Sequence, residues 1–234
     1  MSCEAAEWSE YKEVKLWKFP DSDAYFYTTS RMAIDADGAP NAYNEQDTGI
    51  DALANAGYPN GRNWRSIIVP DPANDRKAYV QPSGEFKGFF VSKTSLEDAR
   101  LPVTDYKRYV DSRNVSYLVF PGAFNRMRGT GTLGDIGAAY NLSNNKKSAF
   151  IVADIGAFNH ELGEVSIGLA EKLGGRDVNP RNGRGAPRGP FVYVVFPKSR
   201  FSPKWRVDLQ QIQERSDELL AAIGGWQKIL ECVR

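Results

Sequence analysis

The chain has one histidine, His160, and two cysteines, Cys3 and Cys232, in 234 residues. A zinc site built on several histidines is therefore excluded, and a Ser-His-Asp triad would have to use His160. Two cysteines at opposite ends are no disulfide framework, although they could tie the termini together. Long apolar runs are missing too: no stretch approaches the roughly 20 residues that a membrane-spanning helix needs. Internal repeats, low-complexity tracts and evident linkers are absent. Charge of one sign is not in excess, since 30 Lys and Arg stand against 29 Asp and Glu. Nucleic acid and membrane are accordingly not expected as partners. The first thirty residues carry Glu4, Glu7, Glu10 and Glu13 and no apolar core, so they do not read as a secretory leader.

What is present is an ordinary globular composition, 41% hydrophobic and 25% charged, long enough to bury a sizeable core. The chain reads as one domain over 1–234, with an N-terminal arm at 1–20 and a C-terminal helix within 206–234. Aromatic and β-branched runs predict a strand or hairpin at Tyr25–Ile34 and short strands at Ser66–Pro70, Lys77–Gln81, Gly88–Val91, Ser116–Pro121, Leu133–Tyr140 and Phe191–Phe196. Residues 40–64 are turn-rich, with a short helix expected from Ile50 to Ala56. Leu209, Ile212, Leu219, Leu220 and Ile223 recur at helical spacing, so about Asp208 to Ile223 is the C-terminal helix. Many short strands with Gly and Pro punctuation predict a mainly β protein rather than a doubly wound sheet.

The near-zero net charge hides an asymmetry. From Asp21 to Asp51 seven acids face Arg31 alone, a local balance of −6. From Arg176 to Arg188 four arginines and Asp177 give +3. An acidic region can attract a polycation, and a basic loop can hold an anion or simply be solvated. Asp35-Ala-Asp37-Gly38 looks like a fragment of a calcium loop, but the third ligand position, the later Gly and the Glu at the twelfth position are missing. An acidic turn is the reading of that segment, and no metal and no cofactor are expected. Asp35 and Asp37 remain placed to hydrogen-bond a sugar or a cationic amine.

The most informative stretch runs from Ser148 to Gly175. It reads as a buried apolar strand, Ala149 to Ala153, then a loop, then a helix ended by Gly174-Gly175. Asp154 falls where strand gives way to loop, and Glu164 where loop gives way to helix. Two carboxyls facing one another across a groove are what glycoside hydrolysis requires, one to protonate the leaving oxygen and one to activate water or attack the sugar. Helix starts also attract acids through the helix dipole, so spacing alone leaves Glu164 open to that purely structural role.

Five segments in the same order resemble the chitosanases of glycoside hydrolase family 75. They are Met32-Ala-Ile-Asp-Ala-Asp-Gly-Ala-Pro40 with Ala42-Tyr43, Gly88-Phe-Phe-Val-Ser-Lys-Thr-Ser-Leu96, Ser116-Tyr-Leu-Val-Phe-Pro121, Leu133-Gly-Asp135, and Ile151-Val-Ala-Asp154 with Leu162-Gly-Glu164-Val-Ser-Ile167. The resemblance runs from about Tyr25 to Trp226. It implies endo-hydrolysis of the β-1,4 bonds of chitosan, a glucosamine polymer, with inversion at the anomeric carbon and Asp154 and Glu164 as the catalytic pair. Glu164 is taken as the acid and Asp154 as the base, although the sequence alone does not decide which of the two has which role. Asp35, Asp37, Tyr43 and His160 are the expected substrate-binding residues, with Tyr43 and Trp64 as candidates for stacking on a sugar ring. The Ala153-Asp154-Ile155-Gly156 and Leu162-Gly163-Glu164 pattern is also similar to the central element of double-psi β-barrels, so the expected architecture is a six-stranded double-psi-like barrel with a short central helix and the C-terminal helix.

A monomer acting on a polysaccharide is the expected form, secreted by inference from its substrate, with a cytoplasmic protein as the alternative. Two other readings of the same acids are a peptidoglycan-cleaving lytic enzyme serving as an antibacterial effector, and a carbohydrate-binding module without catalysis.

Overall fold

A computed structural model describes residues 3–233. Among these residues eleven strands follow in chain order: β1 (Ala6–Tyr11), β2 (Val14–Lys18), β3 (Tyr25–Thr29), β4 (Ala33–Asp35), β5 (Pro70–Asp71), β6 (Asn74–Ala78), β7 (Tyr117–Pro121), β8 (Ile136–Asn141), β9 (Lys147–Gly156), β10 (Glu164–Ser166) and β11 (Phe191–Phe196). The helices are α1 (Trp64–Ile67), α2 (Gly122–Asn125), α3 (Ile167–Lys172), α4 (Leu209–Ala222) and α5 (Gly225–Glu231). The protein is mainly β. One mixed sheet of nine strands, ordered β1-β2-β3-β11-β8-β9-β7-β10-β4, carries the core, and β5-β6 form a separate hairpin.

That order corrects the expected six-stranded barrel. The sheet has nine strands, and its end strands β1 and β4 do not pair with each other, so it is open. Two of the nine strands come from the N-terminal arm, which extends one edge of the sheet. Its Tyr11-Lys12-Glu13-Val14 corner is a two-residue turn with both central residues at positive φ, matching the twist of the strands it joins.

The centre of the sheet is dry on both sides. Every residue of β7 and of β11 is buried, as are Ala149 to Asp154 of β9, which explains why these segments read as continuous apolar runs rather than alternating ones. One face packs under α4, with Ile212, Trp205 and Val207 against Ile136 and Ile151. The other side holds Leu118, Phe120, Phe150 and Tyr193. Burial of each such side chain contributes on the order of 1.5–3 kcal/mol.

Several local expectations shift. Tyr25–Ile34 is not one strand: β3 pairs with β11, whereas β4 pairs in parallel with β10 at the far edge. Ser66–Pro70, expected as a strand, begins as the helical turn α1, because buried Trp64 anchors Asn63 to Ile67 before the chain extends into β5. Ile50–Ala56 forms successive turns rather than a helix, and Gly88–Val91 makes only isolated bridges. The C-terminal helix is two helices separated by Gly224, which adopts positive φ. Asp208 caps α4 through a reciprocal capping box with Gln211.

No helix among the described residues is long and apolar enough to cross a membrane. Cys3 and Cys232 are bonded to each other, which clips the β1–β2 hairpin to the end of α5 and closes a loop spanning 229 residues of sequence separation. Lys228 strengthens the same junction, pairing with Glu4 at 2.8 Å and lying over the Phe19 ring. A Cys3→Ser/Cys232→Ser variant is therefore expected to lose about 2–4 kcal/mol of stability, seen as a fall of roughly 5–15 °C in Tm by calorimetry. An unchanged Tm would show that the clip is decorative.

Candidate active site

β9 is the element on which the site is built. It runs between β8 and β7, and its last three residues, Asp154-Ile155-Gly156, extend past the pairing with β8 while still pairing with β7. Residues 94–96 lie along its edge, with the Leu96 N–H donating to the Ala153 carbonyl at 2.8 Å, and this brings Ser95 onto Asp154. The Ser95 backbone N–H and hydroxyl both donate to Asp154 Oδ1, at 2.7 and 2.6 Å.

Glu164 begins β10, one strand further along the sheet beyond β7. Val119 of β7 is opposite Asp154, and the antiparallel pairing of Leu118 with Val165 sets Glu164 beside the same Val119. Two strand spacings, roughly 9.5 Å, thus separate the backbones of the two acids, with their side chains on one face. Gly163 delivers Glu164: its φ is +98°, and a Cβ there would come within 2.4 Å of the Arg31 carbonyl. Gly156 clears the space between the acids, since a Cβ on it would meet Glu164 Oε2 at 3.2 Å and Val119 Cγ1 at 3.3 Å. The sequence placed Glu164 at the loop–helix junction. In the fold the three residues of β10 intervene, and Ser166 rather than Glu164 caps α3 by accepting from the Leu169 N–H. The dipole explanation for Glu164 therefore loses its geometric basis.

Asp35 and Asp37 reach the same place from β4. Carboxylate oxygens of Asp35, Asp37 and Asp154 all lie within 4.8 Å of one another, and all three residues are buried. Such a trio is compatible with shared protons or with a cation between the oxygens, because like charges so close in a poorly solvated site repel strongly. Asp35 Oδ1 accepts the Asp37 N–H at 2.8 Å. The Tyr43 hydroxyl lies 2.9 Å from Asp37 Oδ1 and 3.0 Å from Asp51 Oδ2. One phenolic proton cannot serve two carboxylates, so both contacts are hydrogen bonds when one of the acids is protonated.

These surroundings set the acidities. Burial, followed by the charges of Asp37 and Asp154, pushes the Asp35 carboxyl well above the usual range. Burial and the charge of Asp154 do the same to Asp37. Asp154 is also raised by burial, with the Ser95 donors working against the shift. Glu164 is raised by burial, and His160 pulls it back, with its Nδ1 at 3.6 Å from Glu164 Oε2.

All six expected site residues line one groove with a volume of about 740 Å³. Asp35, Asp37, Tyr43, Asp154, His160 and Glu164 are therefore brought together, but not in equal roles. Tyr43 and Trp64 are only 3% and 2% exposed, so neither offers a ring face to a sugar, contrary to the stacking expected of them. Tyr43 instead braces two acids, and Trp64 packs edge-on against Tyr58. Ser95 and Asp51 are site residues that the sequence reading did not single out. Asp51 was visible only as one of seven acids, and Ser95 only as part of a segment resembling a family. The basic loop stays outside the groove: none of Arg176, Arg181, Arg184 and Arg188 lines it, and Arg181 is held by Asp47 and the Gly49 carbonyl. No protein-family model matches the chain, and no curated protein matches it.

Raised carboxyl pKa values carry a stability cost of definite sign. An acid whose folded pKa exceeds its unfolded value favours the fold at low pH, and that contribution is lost as pH rises through the folded pKa. Asp35→Asn and Asp37→Asn are thus expected to raise Tm by at least ~3 °C at pH 8 and to leave it nearly unchanged at pH 4. Thermal melts at the two pH values check this, and an equal effect at both would refute it.

Proposed function

We propose that the protein is an endo-acting glycoside hydrolase that cleaves the β-1,4 bonds of chitosan by an inverting mechanism, in keeping with its resemblance to the family 75 chitosanases. The observation that carries the reading is the pairing of Asp154 and Glu164 on one face of the sheet, two strands apart, in a groove rich in acids. The carboxyl groups of an inverting pair stand roughly 6.5–9.5 Å apart to admit a water molecule, and a pair carried on β9 and β10 with β7 between them is kept from direct contact of its backbones. Asp35 and Asp37 crowd Asp154 too closely to serve as the second member of such a pair.

In this mechanism Asp154 is the base. Two Ser95 donors on Oδ1 favour its ionised form, leaving Oδ2 to accept a proton from the attacking water. Glu164 is the acid: its burial keeps a proton available for the leaving oxygen at mildly acidic pH. After bond cleavage Glu164 is a carboxylate and Asp154 a carboxylic acid, and exchange with solvent restores both. Five acids, Asp35, Asp37, Asp51, Asp154 and Glu164, line the groove against Arg62 and His160, which suits a polymer of glucosammonium units. The same reading keeps a double-psi-like kinship for the core, supported by the parallel pairs β7–β9 and β4–β10 around the acids. The Cys3–Cys232 bond supports a protein that works in an oxidising, extracytoplasmic compartment.

Reducing-end assays on chitosan are expected to show activity for the wild-type protein and a loss of about 10²–10⁴-fold for both Asp154→Asn and Glu164→Gln. Proton NMR of the first products is expected to show the α anomer. Cleavage of cell-wall sacculi but not chitosan would transfer the site to the lytic-enzyme reading, and full activity of Glu164→Gln would overturn the two-carboxylate mechanism. Ser95→Ala removes a donor that lowers the Asp154 pKa. The acid limb of the kcat/KM profile should accordingly move to higher pH, measurable across pH 4–7.

A further inference from the structure

With Tyr43 and Trp64 buried, the groove needs another surface to hold the flat face of a sugar. Among the phenylalanines, tyrosines and tryptophans of the described residues only Phe158 is exposed, at 52%, and it lies in the wall of the groove. An exposed phenyl ring gains nothing from the fold and gives up apolar burial. A mobile loop would ordinarily fold such a ring away, but this backbone is tied down on both sides.

The Phe158 carbonyl accepts the Ala123 N–H of α2 at 2.9 Å, and the Ala157 carbonyl accepts the N–H groups of Gly122 and His160 at 3.3 and 3.1 Å. Gly122 lets this segment press close, since a Cβ there would lie 3.1 Å from Phe158 Cα. From the opposite direction the β1–β2 hairpin grips the next two residues. The Tyr11 hydroxyl donates to the His160 carbonyl at 2.8 Å, and Lys12 Nζ donates to the Asn159 carbonyl. The Arg126 guanidinium sits over the Phe158 ring, 5.1 Å from its centroid, and orients it.

We propose that Phe158 is a sugar-stacking platform, a subsite that binds one pyranose unit of the polysaccharide beside the Asp154–Glu164 pair. The ligand is a β-1,4-linked hexopyranose whose ring substituents are equatorial. Such a ring shows axial C–H groups on its faces, an apolar surface that fits a flat phenyl ring, while its amines and hydroxyls meet the acids of the groove. Holding the ring in place beforehand removes the ordering cost that a flexible side chain would add on binding. The proposal rests on the glycoside hydrolase reading for its ligand, but binding and cleavage are separate measurements.

The test uses a glucosamine hexamer and isothermal titration calorimetry in the Asp154→Asn background, where cleavage is blocked. Phe158→Ala is expected to weaken hexamer binding about tenfold, and Phe158→Trp to restore it to within about twofold. In otherwise wild-type protein Phe158→Ala is expected to raise KM for the hexamer with little change in kcat. Equal binding by Phe158→Ala, an equally poor Phe158→Trp, or no hexamer binding at all overturns the proposal. If the wild-type protein does not hydrolyse the hexamer yet binding still depends on Phe158, the hydrolase reading fails and the platform stands. If hydrolysis is intact and binding is indifferent to Phe158, the platform fails alone.

Discussion

Gathering Asp35, Asp37, Asp51, Asp154 and Glu164 around one groove sets mutual repulsion and lost hydration against the fold. The rest of the site is arranged to hold that tension without dispersing it. Asp154 has two donors from Ser95, Asp35 has the Asp37 N–H, and Asp37 and Asp51 share the Tyr43 hydroxyl. The Ser95 donors come from a segment 59 residues distant from Asp154, and Asp35 and Asp37 lie far in sequence from both, so the acids can be neighbours only if those segments are already packed. The apolar strands β7, β9 and β11 provide this packing, and the stability they supply is what permits a destabilising cluster at their ends.

Asp154 was legible because the strand before it is a continuous apolar run, and a polar residue that ends such a run emerges at the rim of a buried sheet. Glu164 was legible by its resemblance and by position, but its local setting was misread. The three residues of β10 look like the start of a helix because Val165 and Ile167 fit either period, and only the parallel pairing with β4 makes them a strand. That pairing joins residues about 130 positions apart and leaves no mark in either segment. The same blindness to distant partners turned nine open strands into an expected barrel of six.

Aromatic residues failed in a more instructive way. Tyr43 and Trp64 look like ligand platforms because they sit among Gly, Asn and Pro, where exposure is the usual state. In the fold both are buried, whereas Phe158 is the ring left exposed. Composition around a residue says little about its burial once a turn-rich segment packs onto the main core. Trp64 and Phe90 join that core, with Tyr58 within 5.1 Å of both rings.

The N-terminal hairpin links these levels. As sequence it is an arm with unremarkable alternation, and as structure it is two strands added to the edge of the sheet most distant in order from β4. Its turn nevertheless reaches the groove, because the sheet twists enough for Tyr11 and Lys12 to touch the carbonyls of residues 159 and 160. The disulfide anchors the start of the hairpin on α5, and α5 follows the helix that covers the sheet. Loosening at either terminus therefore has a direct mechanical route to the loop between Asp154 and Glu164: through β1, through the Tyr11–Lys12 turn, and into the backbone that carries Phe158 and His160. A groove wall held in this way by the chain's own ends ties the geometry of the candidate site to the integrity of the whole domain rather than to its central strands alone.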